Sequence, residues 1–512
     1  MKYLYLVLSF FILKSVYAEK VLSIPYRVTA TFGEYRGRHF HGGVDIATRG
    51  VTGYPVFAWD KGYISRLKRS TKGTGNTIYL KHGNGDTTVY AHLEDFSSKI
   101  DSIYPPGRYG NHFPKEIIWV KAGELIGYSG ESGNGVPHLH FELRKGSKPN
   151  SSVVKALGIK DTVPPLIQKV SLVSFKTEKN SPVPVSQGEA FSVSGQRVIQ
   201  VEGYDRVNNS GARCHIPHWK LFIDDELYWE YFQREFSFTG GETPMEIFDF
   251  AKTGFNPTRY TFKLYRDYLW QNSSIQKEKN YGVLPSGAHH VRIEACDFMN
   301  NCSNFHFSYK NPDEIKPSLF PYSGPLHFSN GDFRLNLKAD SVSSSAVLTL
   351  ALMDCESGEN RGFMVSPDSI FFRSSAEVQY FTDDEKMYPS SYSDYDGKWE
   401  SLDYEFRGRM LRFYLPSPGA VCINVDKERP WISTVLEKHG GSRFKWNVVS
   451  VADRQSGIDE KSLKISCNGK PLLGEYDMDH DWIRFRESCK NPVVFLCDKA
   501  KNCNTQQATL KP

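Results

Sequence analysis

At 512 residues the chain is too long for one compact core, and about three to five domains are expected. Its 28 Tyr, 33 Phe and 9 Trp are enough to fill several cores. The formal net charge of +5 is too weak to argue for nucleic acid as a partner.

The first 18 residues read as a secretory signal. Lys2 supplies the positive start, Tyr3 to Leu13 is a short apolar stretch, and Val16-Tyr17-Ala18 is a small-x-small cleavage site. The apolar stretch is too short to span a bilayer, and no later segment approaches the length of a membrane helix. No Cys follows the cleavage site, so a lipid anchor is not expected. Removal of this segment takes away Lys2 and Lys14 and leaves 61 basic against 58 acidic residues. That balance is compatible with an anionic cell-wall polymer.

Three short strings follow: His41-Gly-Gly-Val-Asp45, Tyr90-Ala-His92-Leu93 and His138-Leu-His140. A hydrolytic zinc site needs three protein ligands and one open position, and these strings offer that many ligands with imidazoles to spare. Strand alternation puts Val89, Ala91 and Leu93 on a core face and His92 on the opposite one. The same rule sends Leu139 and Phe141 inward and leaves His138 and His140 on one face, roughly 6.5–7 Å apart. One of the pair can bind metal while the other reaches water or substrate. His41 and Asp45 would stand roughly 13 Å apart if extended. They reach one ion only if the backbone bends, and Gly42-Gly43 is the place for that. Glu142, on the face of His138 and His140, is a candidate acceptor to fix a ligating imidazole. His39, His82 and His112 are read as surface residues.

Between Leu93 and Val120 the chain carries an elaborate stretch that includes Asp101 to Gly110. It reads either as a wall of a groove or as a passive loop. Asp161-Thr-Val-Pro-Pro165, Asp313-Glu-Ile-Lys-Pro317 and Asp426-Lys-Glu-Arg-Pro430 share a spacing. Pro holds the residue before it extended, which suits a linker entering a first strand. They mark the entrances to three successive domains.

All nine cysteines lie from Cys214 onward, and their number fits an oxidising compartment. Cys296-Asp-Phe-Met-Asn-Asn-Cys302 and Cys497-Asp-Lys-Ala-Lys-Asn-Cys503 repeat one pattern, each after an apolar strand. Asp and Asn favour the turn, and a Cys on each side can close the hairpin. Half a metal site is the rival reading, but no further His or Cys pair stands at a suitable spacing. Cys355–Cys422 and Cys467–Cys489 are the remaining candidate pairs, which leaves Cys214 over. Phe333–Leu337, Leu411–Leu415 and Trp482–Phe485 alternate as strands, and no long amphipathic helix stands out. Residues 388–397 read as an aromatic, polar loop.

The motifs from Phe40-His41-Gly-Gly-Val-Asp45 through Gly75-Asn-Thr-Ile-Tyr79 and Val89-Tyr-Ala-His92-Leu93 to Gly135-Val-Pro-His138-Leu-His-Phe-Glu-Leu-Arg144 resemble, in order, those of lysostaphin-type (LytM-like) zinc peptidases. The resemblance covers about residues 26–150. It implies a small antiparallel β-sheet domain with an open groove over the metal, and cleavage of peptide bonds in peptidoglycan stems or cross-bridges. Carried over by position, it implies His41, Asp45 and His140 as ligands of one Zn2+ per chain. His138 and His92 match the catalytic histidines, with their separate jobs undivided. Relatives that only activate amidases typically lack several of these residues, and all five are present here. Ser456-Gly-Ile-Asp459 and Gly287–Asp297 look like parts of bacterial immunoglobulin-like domains.

The expectation is therefore a mainly β chain: a signal at 1–18, a zinc metallopeptidase domain at 19–160, β-sandwich domains at 161–312 and 313–425, and an immunoglobulin-like domain at 426–512. The expected function is an exported peptidoglycan endopeptidase, with the periplasm the favoured compartment. Peptidoglycan is the expected partner, and the C-terminal β domains offer surface for envelope proteins. The rival is a non-catalytic envelope scaffold that activates or positions other wall hydrolases.

Overall fold

The computed structural model describes residues 20–510 except 37–38, 106–109, 116–117, 134, 176–181, 209, 239–242, 250–251, 256–257, 269–270, 314–324, 340, 343–347, 356–360, 368–369, 394–397, 441–444 and 479. The signal read at 1–18 lies outside the described residues, as does most of the entrance at Asp313–Pro317.

The N-terminal part is built on one 11-stranded sheet. Its main path runs Val28–Ala30, Val44–Ala47, His138–Lys145, Asp86–Phe96, Asn76–His82, Gly62–Arg69 and Trp119–Val120, with antiparallel neighbours throughout. One face carries the core residues Val44, Ile46, Leu139, Phe141, Ile78 and Leu80, all fully buried. Antiparallel strands alternate sides along the chain, so the polar members of the same strands gather on the other face. The register then decides their company. His140 lies opposite Asp45 on one side and Ala91 on the other.

Beyond residue 160 the chain folds as paired sheets, as a mainly β reading requires. Leu166–Asn311 forms a five-stranded and a six-stranded sheet. Leu326–Val425 forms two five-stranded sheets, and Trp431–Leu510 a six-stranded and a four-stranded one. The third and fourth units each have their own apolar core. The first two do not: one continuous cluster runs from the N-terminal sheet into the following sandwich. Phe32, Tyr35 and Phe40 pack on Phe236 and Phe248 with ring centroids 5.3–5.7 Å apart.

The strands expected at Phe333–Leu337, Leu411–Leu415 and Trp482–Phe485 are present. Both Cys-Asp-x-x-x-Asn-Cys segments close antiparallel hairpins with a disulfide, Cys296–Cys302 and Cys497–Cys503. Cys355–Cys422 and Cys467–Cys489 are also bonded, and Cys214 is free and buried. Two expectations are corrected. Residues 388–397 are not simply a loop: Met387–Ser393 is a strand paired with Gly419–Val425, and Ser390 is buried. Pairing on both sides overrides the turn-like composition; residues 394–397 lie outside the described set. His82 is not a surface residue: it is 4% exposed, its Nδ1–H donates to the Lys61 carbonyl, and its Nε2 accepts from the Thr88 hydroxyl. Among the described residues no helix is long and apolar enough to cross a membrane.

Candidate metal centre

The bend expected between His41 and Asp45 is made at Gly42-Gly43, between the His39–Phe40 and Val44–Ala47 strands. A Cβ on Gly43 would lie 2.2 Å from the Phe141 carbonyl oxygen, so no other residue lets the turn sit this close to the neighbouring strand. The turn brings His41 Nε2 to 3.0 Å from Asp45 Oδ1 and 2.9 Å from His140 Nδ1, and His140 Nδ1 lies 2.8 Å from Asp45 Oδ1. Three ligands held ~2.0–2.1 Å from a tetrahedral ion stand roughly 3.3 Å apart, so this triangle is close to the size such an ion requires.

The imidazoles are set with their lone pairs inward. A ring nitrogen facing a carbonyl oxygen must carry the proton. His41 Nδ1–H therefore donates to the Thr31 carbonyl (2.7 Å), which leaves Nε2 free to ligate. His140 Nε2–H donates to Glu142 Oε1 (3.0 Å), which leaves Nδ1. Glu142 is buried, yet the hydrogen bond from His140 and the charge of Arg144 hold its carboxyl down at about 2. Asp45 is partly buried, but His41 and His140 keep it well below the usual carboxylate range. Two imidazoles and an ionised carboxylate, each with an outer partner, fit a divalent ion that keeps a fourth position open.

The other two histidines border this triangle. His138 Nε2 lies 3.6 Å from Asp45 Oδ1, and its Nδ1–H donates to the Val136 carbonyl (2.7 Å). His92 Nδ1–H donates to the Ser132 carbonyl (2.9 Å), and the His92 and His138 rings lie 4.4 Å apart. Both therefore offer Nε2 as a base. Burial lowers the pKa of each, and His92 is pushed down to about 3 with the neighbouring imidazoles adding to the effect. Both are neutral at neutral pH.

His92 reaches this position differently from the alternation expected of it. Its φ is 57°, in the left-handed region, where the register against the Asn76–His82 strand shifts. A left-handed non-glycine residue at a bulge re-aims a side chain and is held by its surroundings. Gly75 (φ 56°) permits that holding: a Cβ there would lie 1.9 Å from the Ser132 carbonyl that His92 bonds.

Several contributors carried no signal in the sequence. The Thr31, Ser132 and Val136 acceptors are backbone carbonyls, which any residue supplies. Arg36, bonded to Asp45 Oδ2 (3.4 Å) and to Glu34 (3.4 Å), was not singled out. Nor were residues from distant units. Phe238 of the second unit has its ring 5.4 Å from the Arg144 guanidinium. Trp446 of the fourth unit donates its indole N–H to Glu94 (2.7 Å), two residues beyond His92, and Arg486 pairs with Asp95 (2.5 Å). A cleft of about 250 Å³ lies between Pro137, next to His138, and the fourth unit, with Glu94, Glu131, Trp446, His480 and Trp482 on its walls. In the Asp101–Gly110 stretch, Asp101 pairs with Arg69 (2.5 Å) and Tyr104 stacks on the half-exposed His112 (4.9 Å), while 106–109 lie outside the described residues. His39 is exposed, as expected.

Residues 39–108 match the model of peptidase family M23. The chain is 35% identical over 138 residues to the DD-carboxypeptidase/endopeptidase Mpg of Neisseria meningitidis serogroup B, covering 26% of this chain and 27% of that protein. It is 30% identical over 125 residues to the murein hydrolase activator NlpD of Escherichia coli, covering 24% and 28% respectively. The chain thus spans about a quarter of the length of these relatives. Among solved structures, the catalytic domain of the prophage-encoded M23 protein EnpA from Enterococcus faecalis is 27% identical, covers 25% of this chain and 88% of its own, and gives a TM-score of 0.20. Residues 39–108 thus match peptidase family M23, and the N-terminal part of the chain is similar to proteins of that family.

Proposed function

We propose that the chain is an exported zinc metalloendopeptidase that hydrolyses peptide bonds in peptidoglycan stem peptides or cross-links. The observation that carries this reading is the convergence of five side chains. His41, Asp45 and His140 form the donor triangle, and two neutral imidazoles stand beside it with Nε2 free. Zinc held by the three donors would supply Lewis acidity toward a water and the scissile carbonyl. His138 or His92 takes the proton of the attacking water at Nε2, and the same or the other imidazole returns a proton to the leaving amine. Burial keeps both rings neutral and therefore able to accept that proton. Residues 19–160 form the catalytic domain in this reading. The units at 161–312, 313–425 and 426–512 flank it and offer surface to peptidoglycan and to envelope proteins. The periplasm is the compartment that fits a leader, four disulfides and a wall substrate.

The similarity to an activator supports a second reading, in which the chain regulates other wall hydrolases. One experiment separates the two. Purified sacculi are incubated with the protein, with and without a zinc chelator, beside His138→Ala, and the muropeptides are resolved by mass. Chelator-sensitive loss of cross-linked dimers, absent in the variant, is the expected result and identifies the bond. An unchanged profile from folded, zinc-loaded protein, together with stimulation of an added amidase, would favour the regulatory reading.

A further inference from the structure

Two aspartate triads recur at matching places in the second and fourth units. Asp161, Asp205 and Asp297 bring one carboxylate oxygen each to within 4.8 Å of one another, and so do Asp426, Asp453 and Asp498. In each triad the first residue stands in the segment entering the unit. The second follows a strand directly, Arg197–Tyr204 or Lys445–Ala452. The third is the Asp of the disulfide-closed hairpin. The surroundings repeat as well. Asn301 Nδ2 donates to the Asp161 carbonyl and to Asp297, and Asn502 Nδ2 to the Asp426 carbonyl and to Asp498. The entrances and the hairpins are separate repeats in the sequence; the fold brings them to one point.

A cluster of acids is not in itself a site, but here buried carboxylates gather with no cationic partner among the described residues. Asp205 is 4% exposed, and its Oδ1 has no hydrogen-bond partner although it lies within the cluster. Asp297, Asp426 and Asp498 are 3%, 0% and 1% exposed. None of the six makes an ion pair among the described residues, and the nearby Lys386 ammonium bonds instead to the Ala500 carbonyl and Asn502 Oδ1. Carboxylates taken out of water without a cation are costly, and buried charges are generally paired or hold metals.

We infer that each triad is a calcium site, two per chain, fastening the entering segment of its unit to a strand end and to the disulfide hairpin. The donors are all carboxylate oxygens, which suit a hard cation rather than a nitrogen- or sulfur-seeking one. Calcium accepts the irregular all-protein cages that magnesium avoids. The first site would lock the joint after the peptidase domain, and the second the joint between the third and fourth units. This inference stands apart from the proposed hydrolysis, and its test does not read activity.

The full chain is stripped with EGTA and dialysed against calcium chloride at about 1 mM free ion, within the range of extracellular modules. Bound calcium is counted by mass spectrometry and thermal unfolding is followed in parallel. The expected result is two calcium ions per chain and a higher Tm than in EGTA, with Asp205→Asn and Asp453→Asn each retaining one. In EGTA, Asp205→Asn should melt no lower than the unaltered chain, because a buried amide needs no cation to offset it. If Asp205→Asn does not fold, Asp297→Asn carries the same expectation. Absence of bound calcium, a stoichiometry unchanged by both variants, or an equal loss of Tm for Asp205→Asn in calcium and in EGTA would each overturn the inference.

Discussion

At the scale of single residues, the centre is defined by which nitrogen of each imidazole is spoken for. His41 and His140 give their outer N–H to Thr31 and Glu142, so that a different ring atom faces the triangle in each case, Nε2 in one and Nδ1 in the other. His138 and His92 are anchored through Nδ1 to backbone carbonyls and border the triangle without completing it. This difference in placement predicts a split. His140→Ala should lose zinc and activity together. His138→Ala should retain zinc at about one ion per chain and lose activity by roughly 10²-fold or more, the typical contribution of a general acid or base. Metal content and turnover measured on the same preparations check this, and loss of zinc from His138→Ala would overturn the ligand assignment.

At the scale of elements, the donors come together because two adjacent strands and one tight turn are held in a single register. His140 faces Asp45 across one strand pair, and Gly42-Gly43 folds His41 back beside them. Gly43 is the most exacting position in that turn, since its backbone rests against the Phe141 carbonyl. Gly43→Ala should force the turn away from the His138–Lys145 strand. We expect a loss of about 1–3 kcal/mol in stability from overpacking and weaker zinc retention, read by denaturant unfolding and by competition with a chromogenic chelator. The hairpins, the cysteines that close them and the alternating strands were legible beforehand, because each depends on neighbours close in sequence. The bulge at His92 was not, because a positive φ there depends on Ser132 and Gly75 from other segments. For the same reason, residues 388–397 read as a loop by composition, although Met387–Ser393 pairs with Gly419–Val425 as a strand.

At the scale of the whole molecule, the peptidase sheet and the second unit share one apolar cluster, so their folding is coupled. His215 lies inside that shared core, fully buried, with Phe248, Tyr260 and Phe298 rings 6.0–6.5 Å away. Burial pushes its pKa down to about 3. The unfolded chain binds this proton near pH ~6.5, whereas the folded chain resists it until about 3. The contribution to stability is therefore complete above pH ~6.5 and is lost as pH falls toward 3, at up to ~1.4 kcal/mol per unit. Calorimetry between pH 4.5 and 7.5 should show a shallower acid slope for His215→Phe than for the unaltered chain. Equal slopes would mean that His215 is not a source of the acid sensitivity.

The sequence alone determined the chemistry on offer and the local architecture: five candidate residues in order, a bend at two glycines, strand-rich units with Pro-bearing entrances, and cysteines poised to close hairpins. These are properties of residue type and short spacing, which sterics and side-chain chemistry decide within a few residues. Only the tertiary structure decided what those pieces meet. It set the tautomers through backbone carbonyls and re-aimed His92 through a bulge. It merged the first two cores and seated Trp446 of the fourth unit on Glu94, 352 positions away in the chain. It also gathered each entrance Asp with two others into one buried cluster. Contacts between residues far apart in sequence depend on strand order and register, and no local pattern of residues encodes which distant partner closes them.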